Sequence, residues 1–285
     1  MAVNIGSRIE RARKAGLLSR TELAARLGIS VGQLAKFEQG KEIPPHAMIF
    51  EIARATGFKP NYFNKQSIVK IENIKFNNQS TISQREYDSI FERTLEQAER
   101  HFEIFSLFPW TMPKPFQKSE VSRNLRTKSD LAEIAQQERF RWDAFSDDGE
   151  LIPFLESLGI LVFTIKKTTA KFCGMTANIN GFPAIAVGAG VHPPGRQQEC
   201  LAHEFGHIVL GGRIADPRAE EEASDIFASE FLKDKCFSRD ESSQAMECAV
   251  ISAYDRDELS DSKAAELLGI SIFDFAELNR IFERE

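Results

Sequence analysis

The chain is poor in cysteine: of its 285 residues only Cys173, Cys200, Cys236 and Cys248 are cysteines, and no two stand as C-x-x-C. Neither a disulfide framework nor a cysteine-built metal site is therefore expected, and Cys200 is read as a small buried apolar residue. No stretch approaches 18 apolar residues, which excludes a membrane-spanning helix. The N-terminal run Met-Ala-Val-Asn-Ile-Gly-Ser-Arg has no apolar signal core, so a reducing, cytoplasmic setting is expected. Extreme charge is lacking too: the net charge is −6, with 42% hydrophobic and 27% charged residues. This is the composition of a soluble globular chain with material for one large or two modest cores, and two domains are expected.

The charge is unevenly placed. Residues 1–64 hold ten Lys or Arg (positions 8, 11, 13, 14, 20, 26, 36, 41, 54 and 59) against five acids, a net +5, which leaves −11 for the remainder. A basic module joined to an acidic one suits nucleic-acid binding at one end, although a solvated basic face would look the same. The local pattern sharpens the first reading. Ser19-Arg20-Thr21-Glu22 is a capping box that opens a helix to Leu27, Gly28 supplies a tight turn, and Ser30-Val31-Gly32-Gln33 opens the next helix. Helix, glycine turn, helix is a helix-turn-helix, with Leu23, Ala24, Leu27, Ile29, Leu34 and Phe37 as its seam. Ser30, Gly32, Gln33 and Lys36 then face outward at the start of the second helix. Gln33 suits an adenine edge and Lys36 a phosphate.

The sharpest motif is His203-Glu204-Phe205-Gly206-His207, an H-E-x-x-H within the helical periodicity of Leu201, Phe205, Ile208 and Val209, stopped by Gly211-Gly212. On a helix the two imidazoles share one face and can reach one metal ion. Glu204 lies about 100° round the helix, placed to take a proton from water without filling a coordination position. A third ligand is needed from a neighbouring helix. Glu221 and Asp225, at i and i+4 in Ala219–Ala228, supply one: Glu221 as ligand, Asp225 as acceptor for the second ring N–H of a ligating histidine. Glu220 and Glu222 are the alternatives, and an acidic first turn favoured by the helix dipole accounts for all three glutamates without a metal.

Between the two motifs, Lys65–Thr81 reads as an asparagine-bearing linker. Ser83-Gln84-Arg85-Glu86 then caps a helix of about 25 residues whose stripe of Tyr87, Phe91, Leu95, Ala98, Phe102 and Phe105 packs either on a second copy of the chain or on the catalytic domain. A second helix is expected from Ser129 to about Phe145. Gly159–Ile165 reads as a strand, Asn180-Gly181 as a hairpin turn, and Pro183–Val187 as an edge strand along which a substrate peptide could add. His192 is a histidine near the site with no assigned role. Leu259–Ser271 reads as a second, structural helix-turn-helix-like hairpin.

Residues 5–63, with L-x-x-x-L-G-I-S-x-x-Q-L-x-K-F-E-x-G and Pro44, resemble the Xre/Cro-type repressor domain. Residues from about 127 to 232, through Ala202–His207 and Asp225–Ala228, resemble the ImmA/IrrE family of zinc metallo-endopeptidases, with one departure where Lys233-Asp234 follows Phe231-Leu232. The resemblance implies zinc on His203, His207 and Glu221, with Glu204 as general base. The expected architecture is α+β: a helical DNA-binding domain (1–64), a linker and long helix (65–126), a mainly helical zincin-like domain with a small antiparallel sheet (127–240), and a C-terminal helical hairpin (241–285). The expected partners are one zinc ion per chain, replaceable by manganese, duplex operator DNA, a repressor-type protein substrate and a second copy of the chain; no membrane is expected.

Overall fold

The computed structural model describes residues 4–76, 82–116, 127–145, 150–166, 168–169, 171–190, 195–233, 235 and 245–282. His192 and Asn77–Thr81 lie outside the described residues. The chain divides into two compact units: residues 1–68 with 79–99, and residues 69–78 with 100–285.

The smaller unit begins with α1 (Ile5–Ala15), α2 (Arg20–Leu27), α3 (Val31–Glu38) and α4 (His46–Thr56). Ser19 and Glu22 form the reciprocal capping box, Gly28 takes a left-handed conformation (φ 66°), and the Ser30 hydroxyl accepts from the Gln33 backbone N–H. The helix-turn-helix therefore forms as its caps dictate. Leu23, Ala24, Leu34 and Phe37 are buried with Ile9, Ile52 and Phe63, while Leu27 and Ile29 pack at the margin.

The basic face needs correction. Arg11 pairs with Glu92 at 2.8 Å and Glu99 at 2.9 Å, and Arg8 also pairs with Glu99. Arg13 and Arg20 both hold Glu38 at 2.5 Å. These four cations thus neutralise acids inside their own unit, and Lys14, Lys36 and Arg54 also have acidic partners there. Glu92 and Glu99 lie on α5 (Gln84–Leu107), whose residues to Glu99 belong to this unit and whose remainder belongs to the other. Of the expected α5 stripe, Ala98, Phe102 and Phe105 are buried and Tyr87, Phe91 and Leu95 are half-buried, while Ile90 and Ile104 are buried beside it.

The larger unit is built on a four-stranded sheet in the order β1-β3-β4-β2, with β1 Ile71–Phe76, β2 Leu161–Ile165, β3 Gly174–Ile179 and β4 Phe182–Gly188. The α+β expectation holds, but the sheet is mixed, because β2 runs parallel to β4 while β1–β3 and β3–β4 are antiparallel. Asn180-Gly181 turns the β3–β4 hairpin with both residues at positive φ (50° and 92°), the conformation a two-residue primed turn requires. Two expectations fail here. Residues 71–76 form a strand rather than linker, and β4 is an inner strand rather than an edge, hydrogen-bonded on both sides. The unbroken apolar run Ala184–Val187, buried throughout, is what an inner strand requires, since both of its faces are covered.

The helices of this unit are α6 (Lys128–Phe145), α7 (Leu151–Ser157), α8 (Arg196–Leu210), α9 (Pro217–Phe231), α10 (Ala245–Tyr254), α11 (Asp261–Leu268) and α12 (Ile272–Phe282). The main core joins α6–α9 to the sheet around Trp142, Phe154, Phe205, Phe227 and Phe231. A satellite core under α10–α12 takes in Ile104 and Phe108.

A candidate metal centre on two helices

Helix α8 carries H-E-x-x-H because its apolar face is continuous: Leu201, Phe205 and Val209 are buried in the main core, and Phe205 makes edge contacts to Phe227 and Phe231 of α9 with ring centroids 5.6 Å apart. Burial of each such phenylalanine is worth about 1.5–3 kcal/mol. Gly206, between the two histidines, sets the helix spacing. A Cβ there would lie 3.2 Å from Phe227 Cδ1 and from the Ser224 Cα, so a side chain at 206 would press on α9, and glycine accommodates the close approach without displacement. That approach brings the acidic first half of α9 to the histidine face.

His203 Nε2 and His207 Nε2 are 3.1 Å apart, Glu221 Oε2 is 3.3 Å from the first, and Glu221 Oε1 is 3.4 Å from the second. Zinc–ligand bonds of about 2.05 Å in a tetrahedron put the ligand atoms about 3.3–3.4 Å apart; each imidazole has a Glu221 oxygen at that spacing, and one donor atom from each of the three residues lies within 4.8 Å of the others, so the cluster is a candidate zinc site. The tautomers agree with it. His203 Nδ1 stands 2.8 Å from Asp225 Oδ1, and His207 Nδ1 is 3.5 Å from Glu220 Oε1. The Asp225 hydrogen bond fixes the His203 proton on Nδ1 and leaves its Nε2 a lone pair. Glu220 stands close enough to His207 Nδ1 to favour the same tautomer electrostatically, although His207 Nδ1 makes no hydrogen bond among the described residues. Burial pushes His207 below the ordinary histidine value, with the His203 charge adding to it, which favours the neutral, ligating form. His203 and His207 are buried, whereas the Glu221 side chain is half exposed and Asp225 more so.

Two neighbours of this triangle have no signal in the local sequence. The first is Glu220, weighed above as an alternative ligand: it sits behind His207 and is gripped by Lys75 Nζ of β1 at 2.6 and 2.7 Å. Burial opposes its ionisation, yet the Lys75 ammonium and His207 hold the carboxyl below the ordinary glutamate value. The second is Gly174, the first residue of β3. A Cβ at Gly174 would stand 2.6 Å from Glu204 Cγ and 2.8 Å from its Oε1, so the strand backbone lies directly on the Glu204 side chain, which is 1% exposed. Next to it, Cys173 is disulfide-bonded to Cys200, tying the start of β3 to α8 one turn before Glu204. The expectation of no disulfide is thereby overturned. Two cysteines 27 residues apart carry no pairing signature, and only the packing of β3 on α8 brings them together.

In the smaller unit, Ser30, Gly32 and Lys36 are exposed and Gln33 is half-buried at the start of α3. The Lys36 ammonium has Glu42 at 3.9 Å. Val31 beside them is exposed as well, and the Ser30 hydroxyl is engaged as acceptor by the Gln33 N–H.

Residues 9–63 match the helix-turn-helix family, and residues 155–268 match the family described as the IrrE N-terminal-like domain, a metallopeptidase family. The chain is a fusion of the two. No curated protein and no solved structure matches it. It is thus a helix-turn-helix DNA-binding chain with a peptidase-like domain. The IrrE-like span contains α8, α9 and the whole donor triangle. It excludes β1, and with it Lys75, as well as α6. Among the described residues no helix is long and apolar enough to cross a membrane.

Proposed function

We propose that the chain is a transcriptional regulator whose IrrE-like domain hydrolyses a peptide bond in a repressor-type protein, using zinc held by His203, His207 and Glu221, or manganese in its place. The observation that carries the reading is the convergence of the two Nε2 atoms, 3.1 Å apart, on the Glu221 carboxylate, whose oxygens lie 3.3 and 3.4 Å from them, with a carboxylate beside each Nδ1. The ion, when bound, supplies Lewis acidity to the attacking water and to the scissile carbonyl. Glu204, on the next face of α8, accepts the proton of that water and delivers it to the leaving amine. Asp225 holds the His203 ring in the Nδ1–H form, and the Glu220 carboxylate 3.5 Å from His207 Nδ1 favours the same form there. The exposed edge of Glu221 leaves the site open to solvent on one side, where a substrate chain can enter.

Cleavage of a separate protein fits better than self-cleavage. Self-cleavage would need residues 65–81, or a loop such as 111–117, to lie extended along Pro183–Val187; residues 71–76 of the first are committed to the sheet as β1, and Pro183–Val187 is paired on β3 and β2. Ser30, Gly32, Gln33 and Lys36 serve operator DNA, and tethering at an operator raises the local concentration of whatever other regulator is bound there.

A non-catalytic reading, in which the chain is a repressor or antitoxin with an idle metal site, is favoured by one observation: Glu204 is almost wholly covered by the backbone at Gly174. The deciding experiment is metal analysis and incubation with co-encoded DNA-binding proteins. Wild type and Glu204→Gln should each bind one zinc, while His203→Ala, His207→Ala and Glu221→Ala bind none, and only wild type should cut. Full metal occupancy in Glu221→Ala would show the third ligand to be wrong. Metal binding with no cleavage of any candidate would favour the idle site.

A further inference from the structure

We infer that Lys75 and Glu220 are positioning residues for His207, so that seating of the edge strand β1 sets the metal affinity of the site. The inference rests on the metal-centre reading above and reaches outside the IrrE-like span, to a strand that precedes it by nearly eighty residues.

The chain of contacts is short. Lys75 Nζ grips both carboxylate oxygens of Glu220, and Glu220 Oε1 stands 3.5 Å from His207 Nδ1, a charge contact rather than a hydrogen bond. Glu220 is itself buried, so its charge needs a partner. Lys75 is that partner, and it is delivered by a distortion of β1. The β1–β3 register shifts between Glu72 and Lys75, with Asn73 at φ 52°. In a regular strand Lys75 would share a face with Ile71. One extra residue moves Ile74 and Phe76 to that half-buried face and turns Lys75 to the opposite side, toward α9. The strand is also fixed at its start, where Lys70 N–H donates to Asn180 Oδ1 at 2.9 Å and Asn180 N–H donates to Lys70 O at 3.1 Å. The bulge is thus held in register by the β3–β4 hairpin.

The consequence is reciprocal. If a seated β1 orients His207 for the metal, the bound metal must favour the seated strand by the same free energy. Partners behind ligating histidines typically change metal affinity about 10–100-fold.

The test is titration of the full-length metal-free protein with Co(II), read by the visible d–d absorption and by competition with a chromophoric chelator, together with amide exchange of residues 71–76. Wild type should bind one equivalent, and metal should slow exchange in β1. Lys75→Met and Glu220→Ala should weaken binding about 10–100-fold and shift the d–d bands, while Lys75→Arg recovers most of the loss. Wild-type affinity and spectrum in Lys75→Met and Glu220→Ala would overturn the inference and leave the metal centre standing. Loss in Lys75→Arg equal to that in Lys75→Met, with β1 already exchanging faster before metal is added, would also overturn it, by reducing Lys75 to a structural role. Absence of metal binding in wild type would remove the inference and the metal centre together.

Discussion

The contact between Gly174 and Glu204 makes a prediction that needs no substrate. Alanine at 174 would place a methyl group 2.6 Å from Glu204 Cγ, where carbon atoms normally rest about 3.5–4.0 Å apart. The overlap is about 1 Å, and Glu204 has no outward path, being 1% exposed. Overpacking of this kind costs about 1–3 kcal/mol. Replacing a strand glycine by alanine returns up to about 1 kcal/mol by restricting the unfolded chain, so Gly174→Ala should destabilise the larger unit by about 1–2 kcal/mol. If the cause is Glu204, the cost must vanish when that side chain is cut back. In a Glu204→Ala background the same substitution should be neutral or slightly stabilising, a coupling of about 2 kcal/mol. Denaturant titrations of the four proteins in chelator, followed by tryptophan fluorescence, read this directly, since Trp110 and Trp142 both lie in the larger unit. An equal loss in both backgrounds would refute the packing of β3 on the proposed base.

Duplex DNA binding should weaken steeply with salt, and Lys36→Ala should lower affinity alike for all sequences while reducing the salt slope by about one. Gln33→Ala should instead relax discrimination at one base position by about 1–3 kcal/mol, checked by competition with single-base variants of a selected site; uniform weakening would move Gln33 to the phosphate class. Reduction of the Cys173–Cys200 bond, which spans 27 residues, should lower stability by about 3.5 kcal/mol on the chain-entropy account. Paired titrations with and without reductant check it, and two reactive thiols at 173 and 200 in unfolded, unreduced protein would show that the bond does not form.

What was legible in the sequence was what local spacing dictates. H-E-x-x-H and the Glu221/Asp225 pair declare themselves because residues four apart on a helix share a face whatever the tertiary structure. The caps at Ser19 and Ser30 and the Asn180-Gly181 turn are equally local. The misses are all questions of which distant segment a residue meets. Nothing near Lys75 distinguishes an edge strand with a bulge from an asparagine-bearing linker, and Glu220 differs from Glu221 only by the 100° that one helical step adds. Arg8, Arg11, Arg13 and Arg20 count as basic in any window, yet Glu92 and Glu99, the partners of the first two, lie 81 to 91 residues on, and Glu38, which pairs with Arg13 of α1 and Arg20 of α2, lies on α3. A usable signal was present in one case: Ala184–Val187 lacks the alternation of an edge strand facing solvent. The same physics explains why the proposed metal ligands are readable and their proposed supports are not. Ligands must converge on one point and so are grouped on two neighbouring helices. A support need only reach the back of a ligand, and any strand or turn that the fold brings there can provide it.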